Sequence, residues 1–493
     1  MRATAALLTA CVLAWSADIP KPQSSEIVNW QAFAGDSQRD GWDKAESAFS
    51  KDDVAHFQLL WRRGMAATGK EILLPPVILG NQALVAGSGN DLWSIDADAN
   101  RVTWGRHLVM KKSKTGNMKK ACSGGLSAMP ASLPMPQPVY FLTGDGLLHQ
   151  LNRGDGEETG QPLKFLPRHA SVGPLNVTDK AIYASTSGGC SGVANAVWVM
   201  DMSGITPKVR SFNLGNTGVT DLGGVVVGSN GNVFARTGEG TFDLANGKLA
   251  NCLLALSPLD LTLQQYFIFP PAGGKRNGDP PPPATPVAFR FRNQDLVVAA
   301  GGDGRLYVLD STIMGGDNHN QYLSRSTALG AVRGGLSSWQ DADGTRYVLA
   351  PVWGPVNERF KPPLISGDVS HGAIVAFKMI EQENMRPVLI PVWMTGGIAS
   401  PAPPVIAQDV VFALSNGVFT RKGPVKGTHA TLYALDGETG KQMYSTGDQI
   451  DVAGNGKGLS IANGRLYFLT VDNTLNVFGK YQEPQLTQKA ARQ

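Results

Sequence analysis

Charge is scarce in this chain, and so is cysteine. Only 17% of the 493 residues are Asp, Glu, Lys or Arg, and 44 basic residues face 40 acidic ones, a net charge of +4. So even a balance leaves no electrostatic footprint for a nucleic-acid partner. The local cluster of Lys111, Lys112, Lys114, Lys119 and Lys120 reads as a solvated loop. The four cysteines, Cys11, Cys122, Cys190 and Cys252, form no Cys-x-x-Cys, so a zinc ribbon, a thioredoxin-type site and covalent haem attachment all lack their spacing. Seven His are scattered with no His-x-x-x-His among them, and nothing supports a serine or cysteine hydrolase. No apolar run is long enough to span a bilayer. Turn formers, by contrast, are plentiful: 58 Gly and 31 Pro accompany a hydrophobic fraction of 42%. That composition argues against a helical bundle or coiled coil and for many short strands joined by many turns.

The first residues read as an address. Arg2 precedes a short apolar run from Ala3 to Ala14, and Ala14-Trp15-Ser16 resembles a small-x-small cleavage site, which makes residues 1–16 a signal peptide. Leu8-Thr9-Ala10-Cys11 offers a competing lipobox, with Cys11 as the lipid-anchored residue. On either reading the mature chain is periplasmic or secreted, with no transmembrane segment, where a disulfide can persist.

One pattern recurs along the chain. A Gly- or Asn-rich turn is followed by a short apolar strand that often ends in Asp: Leu92-Trp93-Ser94-Ile95-Asp96 is the first copy and Leu432-Tyr433-Ala434-Leu435-Asp436 the seventh. The other copies begin at Leu148, Val197, Leu253, Leu306, Ile374 and Leu475, so eight copies follow one another at intervals of 43 to 68 residues. Repeats of about fifty residues fit four-stranded units better than helical repeats. Ala83–Ala86, the turn Gly87-Ser88-Gly89-Asn90 and the Leu92 strand read as a hairpin, and the fifth and eighth copies repeat the plan. Aromatics follow eight or nine residues later (Trp104, Tyr266, Tyr444) on a fourth strand whose ring can pack between neighbouring sheets. Radial repetition of such sheets is an all-β, eight-bladed β-propeller of four-stranded antiparallel blades. The eighth unit lacks a fourth strand, and Phe57-Gln58-Leu59-Leu60-Trp61-Arg62 is expected to supply it. The reading divides the chain into an extension at 17–56, a propeller at 57–480 and a tail at 481–493. Gly454-Asn455-Gly456-Lys457-Gly458 precedes no predicted helix, so it reads as turn glycine and not as a dinucleotide fingerprint.

The seventh copy continues Asp436-Gly437-Glu438-Thr439-Gly440 and reaches Tyr444 four residues later. This resembles the repeat of the pyrroloquinoline quinone (PQQ) dependent dehydrogenases, Ala-x-Asp-x-x-Thr-Gly then Trp. The entry segment, with Trp30, Gly35-Asp36, Gly41, Val54 and Leu59-Leu60-Trp61, is similar to the start of those proteins. The resemblance spans residues 28 to 480 and implies a quinoprotein-like propeller, a fold that also serves non-catalytic scaffolds. It further implies PQQ held with calcium under a ring of adjacent cysteines, and this chain has no Cys-Cys. The Glu that helps hold calcium corresponds to Ala194, in Ser191-Gly192-Val193-Ala194. The general base corresponds to the Pro280 to Pro283 stretch, beside Asp279, and the cation that contacts the quinone to Gly302, in Gly302-Asp303-Gly304.

Two functions follow from these residues. The first is a binding or scaffold propeller without quinoprotein dehydrogenase activity, taking a small molecule or a protein at its mouth. The alternative is a PQQ-dependent oxidoreductase of alcohols or sugars with a divergent site, in which Asp279 or Asp303 is the base. Arg333, just before Gly334-Gly335, is a candidate for holding an anionic cofactor, against a structural ion pair; Trp339 is a candidate for stacking on it, against blade packing, the reading that also covers Trp353. His319 and His371 read as loop and structural residues. Cys122 enters the second blade and Cys190 precedes the Trp198 strand; on one face of a propeller they are expected to form a disulfide, which leaves Cys252 as a buried free thiol.

Overall fold

A computed structural model describes residues 29–46, 49–65, 71–110, 128–133, 137–187, 192–219, 222–272, 284–420 and 423–480. The expected signal peptide, Asp279, and both Cys122 and Cys190 with their expected disulfide lie outside the described residues. Eight antiparallel sheets, each built on four strands, stand around one axis as a propeller. Counted outward from the axis, the repeat copies are the third strands: Asp91–Asp96, Leu147–Leu151, Asn195–Asp201, Cys252–Leu256, Leu306–Asp310, Gly372–Gln382, Thr431–Asp436 and Thr474–Lys480. Blades stack face to face, so the second strands are covered on both sides. They read as continuous buried runs such as Leu296 to Ala300, without the period-two alternation of a half-exposed strand. Closure occurs where the sequence placed it. Phe57–Gly64 pairs antiparallel with Thr474–Lys480, Phe57 opposite Lys480, and is the outer strand of the eighth blade.

The repeat has a physical reason. In the seventh blade, Asp436 Oδ1 accepts the amide of Thr439 at 2.9 Å and its hydroxyl at 2.8 Å, which folds the turn to Gly440. Gly440 has φ of +69°, and a Cβ there would stand 2.5 Å from the ring of Trp393, the outer-strand tryptophan of the blade before. The Trp393 indole donates to the Gly437 carbonyl at 2.8 Å. Trp104 repeats this on the second blade, against Gly156 and the Arg153 carbonyl (2.8 Å), and Trp61 closes the ring on the Ala97 carbonyl (2.9 Å). The carbonyl used is each time that of the residue after the strand-ending Asp or Asn.

One expectation is corrected. Gly454 to Gly458 is not a turn: it belongs to Gly454–Ala462, the inner strand of the eighth blade, with a break in register between Gly454 and Leu459. Glycine is required there because a Cβ at Gly454 would overlap the Asn416 side chain of the neighbouring blade.

The segment 29–46 forms no sheet of its own. It runs past the inner strands as a strap and bonds to every blade in turn. Trp30 pairs with Ile78 of the first blade, and the Gln31 carbonyl accepts from Ser132 (3.0 Å) of the second. The Ser37 carbonyl takes the Asn176 side chain (2.9 Å) of the third and the Val227 amide (2.8 Å) of the fourth. The carbonyls of Gln38, Asp40 and Gly41 accept from Ala288 (3.4 Å), Ser338 (2.8 Å) and Ile406 (2.8 Å) of the fifth, sixth and seventh. Glu46 Oε2 accepts the Gly464 amide (2.8 Å) of the eighth.

Its buried acids make it pH-sensitive. Asp43, 7% exposed, accepts the amides of Ala45 and Glu46 on Oδ1, while its Oδ2 is buried without a hydrogen-bond partner. Burial first, then Glu46 beside it, pushes its carboxyl up to about 7 from 3.8; burial and Asp36 do the same to Asp40, against the ion pair with Lys44 at 2.7 Å. A carboxyl raised on folding holds its proton more tightly in the native state. Its stabilising share is therefore complete below about 3.8 and lost as pH rises through about 7. Asp43→Asn keeps the acceptor and removes the charge. Its melting temperature should match the parent below the ordinary carboxylate range, exceed it increasingly towards neutrality, and keep that advantage above it; parallel pH profiles would contradict this assignment.

Candidate functional site

A cavity of about 130 Å³ lies where inner strands of the first four blades begin, with Phe33 of the strap in its lining. Leu74, Met129, Val172 and Leu222, from the first four blades, make apolar walls. Ser185 and Ser187 of the third blade and Lys457 of the eighth supply the polar groups of the described lining, and no carboxylate is among them. The Arg39 guanidinium donates to the carbonyls of Phe33 (2.7 Å) and Leu175 (2.9 Å). Burial pulls Arg39 down to about 9, with Asp36 opposing, so it stays charged at neutral pH.

Of the described candidates, neither Asp303, Arg333 nor Trp339 is in the described lining of this cavity. Asp303 sits in the turn between the second and third strands of the fifth blade. Its Oδ2 accepts the Tyr307 hydroxyl at 2.7 Å and stands 3.2 Å from Arg305 Nε. The same turn occurs in two other blades. Asp145 accepts the Thr143 hydroxyl at 2.6 Å, with His149 in the place of Tyr307; Asp472 accepts the Thr470 hydroxyl at 2.6 Å, with Asn476 in that place. The residue after the Asp has positive φ in all three, at Gly304, Gly146 and Asn473. Asp303 thus occupies a turn-locking position of the blade repeat. The Thr143, His149, Glu158 chain, at 3.1 and 2.9 Å, belongs to that turn as well.

A Cβ at Gly302 would overlap the carboxylate of Glu239 from the fourth blade, so the Glu239 side chain occupies that space and would have to move to admit another. Beside Glu239, at 3.8 Å, is the fully buried Arg236. Its guanidinium donates to the carbonyls of Thr237 and Ala300 and lies 4.0 Å over the Phe269 ring. Burial pulls Arg236 down to about 10, while Glu239 opposes. Neighbouring Cys252 is a buried free thiol, as expected, pushed up to about 12 by burial. The carbonyl of Ala194 accepts the Thr186 hydroxyl at 2.6 Å. Arg333 lies over the Trp353 ring at 5.1 Å, and the Trp353 indole donates to the Pro401 carbonyl. Trp339 is 1% exposed, stacked on Tyr347 at 4.4 Å, and its indole donates to Asp409 of the next blade (3.3 Å), a packing arrangement. His371 is exposed, and His319 stacks on Tyr266 with ring centroids 3.7 Å apart.

A calcium-bound quinone wants hard oxygen ligands and a cation beside the ring. The described positions that would provide them hold an alanine, a glycine walled by a carboxylate and a turn-locking Asp. These residues do not fit that group. Among the described residues no cluster of three His, Cys, Asp or Glu side chains is placed to hold a metal, and no helix is long and apolar enough to cross a membrane.

No family model matches this chain, and no curated protein matches it. Solved structures do. The quinohemoprotein alcohol dehydrogenase of Comamonas testosteroni superimposes with a TM-score of 0.59 at 14% identity, over 93% of this chain and 82% of that one. A europium-containing methanol dehydrogenase gives 0.57 at 13%, over 92% and 98%. BamB from Moraxella catarrhalis gives 0.52 at 13%, over 86% and 99%. The chain has their propeller fold. At this identity the likeness is one of architecture, and the chemistry must be read from the side chains.

Sequence reasoning missed Phe33, Ser185, Ser187, Glu239 and Lys457. Only Lys457 carried a signal, as the one charge within a glycine-rich run.

Proposed function

We propose that this chain is an exported quinoprotein-like propeller that works as a binding or scaffold protein without quinoprotein dehydrogenase activity. The observation that carries the reading is Gly302. Where a cation would stabilise charge on a reduced quinone, the space belongs to the Glu239 carboxylate, which has the opposite sign. Such a term is worth several kcal/mol in a preorganised site, and a base contributes roughly 10²- to 10⁴-fold. Asp303 is engaged in its turn instead. Export rests on the reading of residues 1–16, by cleavage there or with a lipid at Cys11. Purified protein supplied with PQQ, calcium or a lanthanide, alcohols and sugars, and a dye acceptor is expected to give no cofactor-dependent dye reduction. Reduction lost on Asp303→Asn or Asp279→Asn would restore the oxidoreductase reading.

A further inference from the structure

The sixth blade carries an extra strand. Its second and third strands are joined by residues 354–371, where the fifth blade uses only 301–305. The insertion lays Leu364–Ser366 parallel to Arg386–Gly396, outside the fourth strand. Leu364–Ser366 ends the sheet, and among the described residues no strand pairs with its outer side. We propose that this edge joins the same edge of a second copy of the chain, antiparallel about a twofold axis at Ile365, in a reversible dimer. The inference goes beyond the binding-protein reading and does not depend on it.

A free strand edge is a template for another strand, and proteins usually blunt it with charge, with proline or by keeping it short. This edge bears no charge from Pro362 to Gly367, and two large apolar side chains project from its two faces: Leu364 is 46% exposed and Ile365 50%. Pro362 and Pro363 stand before the strand and not within it. They hold the entering chain extended, which lowers the ordering cost of adding a strand. They also donate no N–H, so the ladder stops at Leu364 and the association is weak. Charge selects the occupant. Lys361 precedes the strand and Asp368 follows it, both exposed. Among the described residues Lys361 has no ion-pair partner. The hydroxyl and then the amide of Ser370 hold the Asp368 carboxyl below the ordinary carboxylate range, so it is ionised at neutral pH. A segment with a cation at one end and an anion at the other complements itself when turned through half a circle. With Ile365 on the axis, Leu364 lies opposite Ser366 of the other copy, and Lys361 lies opposite Val369, next to Asp368. Parallel pairing would instead set Lys361 against Lys361 and Asp368 against Asp368, which is unfavourable. The twofold contact uses the free edge of both copies, so assembly stops at two.

Sedimentation velocity of the purified protein, from micromolar to hundreds of micromolar, is expected to show the mass rising from one copy to two. Hydrogen exchange within Leu364–Ser366 should slow as it rises. Ile365→Lys sets two ammonium groups against each other on the axis and should stay one copy throughout. Met385→Lys changes an apolar residue that is 70% exposed, at the tip between the third and fourth strands of the same blade, and should dimerise like the parent. Both positions are exposed, and thermal melts should match the parent. Lys361→Glu should weaken the dimer a few-fold, and Asp368→Lys added to it should recover the loss, a rescue that follows from the antiparallel arrangement. A protein that stays one copy at every concentration, species larger than two copies, or dimerisation unchanged in Ile365→Lys would each overturn the proposal. A dimer lost in Ile365→Lys but indifferent to Lys361→Glu would overturn the charge pairing. None of these outcomes bears on the binding-protein reading, which the dye assay decides.

Discussion

A chain that begins at Ser50, with the closing strand but without the strap, is expected to lose cooperative folding. Trp30 is fully buried, and losing a buried tryptophan side chain alone costs about 3–5 kcal/mol. Native proteins are stable by only ~5–15 kcal/mol, and the truncation also strips a hydrogen-bonding partner from every blade. Hydrogen exchange gives the specific readout. The amides of Ser132, Val227, Ala288, Ser338, Ile406 and Gly464 donate to the strap in six different blades, and all should lose protection together. Their continued protection in a truncated chain that melts like the parent would show that the blades hold their inner strands unaided.

Gly440→Val is expected to cost about 2–5 kcal/mol, from a β-branched residue at positive φ together with the overlap with the Trp393 ring. Chemical denaturation measures it. Gly160→Val is the control, since its Cβ would meet nothing within 4 Å and its φ is not positive; it should stay within about 0.5 kcal/mol of the parent. Similar losses in both variants would remove the tryptophan-on-glycine contact as the reason for the repeat.

The blades were legible because their determinants are local. An Asp that folds a turn, a glycine at positive φ and an aromatic on the following strand lie within about ten residues of one another, and the pattern recurs. Closure was legible for a different reason: the eighth unit was one strand short, and only Phe57 to Arg62 was strand-like and unassigned. The strap left no such trace. Its bonds run mostly through backbone carbonyls, which carry no residue preference, to partners as distant as Ile406 and Gly464. The mouth was illegible because Phe33, Leu74, Met129 and Lys457 come from four separate stretches of chain and look individually like ordinary core or strand residues. Asp303 shows the converse hazard. It matched a motif by spacing, yet its counterparts Asp145 and Asp472 occupy the same turn position, each holding the Thr hydroxyl two residues before it, in blades that the resemblance does not implicate.

We propose that this chain shares the propeller architecture of the PQQ dehydrogenases it resembles in fold, without their cofactor chemistry. Equilibrium titration of the protein with PQQ, in the presence of calcium and separately of europium, tests it most directly, through the absorbance and fluorescence of the quinone. The account predicts no saturable binding with either ion and no change when Glu239 is replaced by Gln. Tight, ion-dependent, stoichiometric binding of PQQ would contradict it.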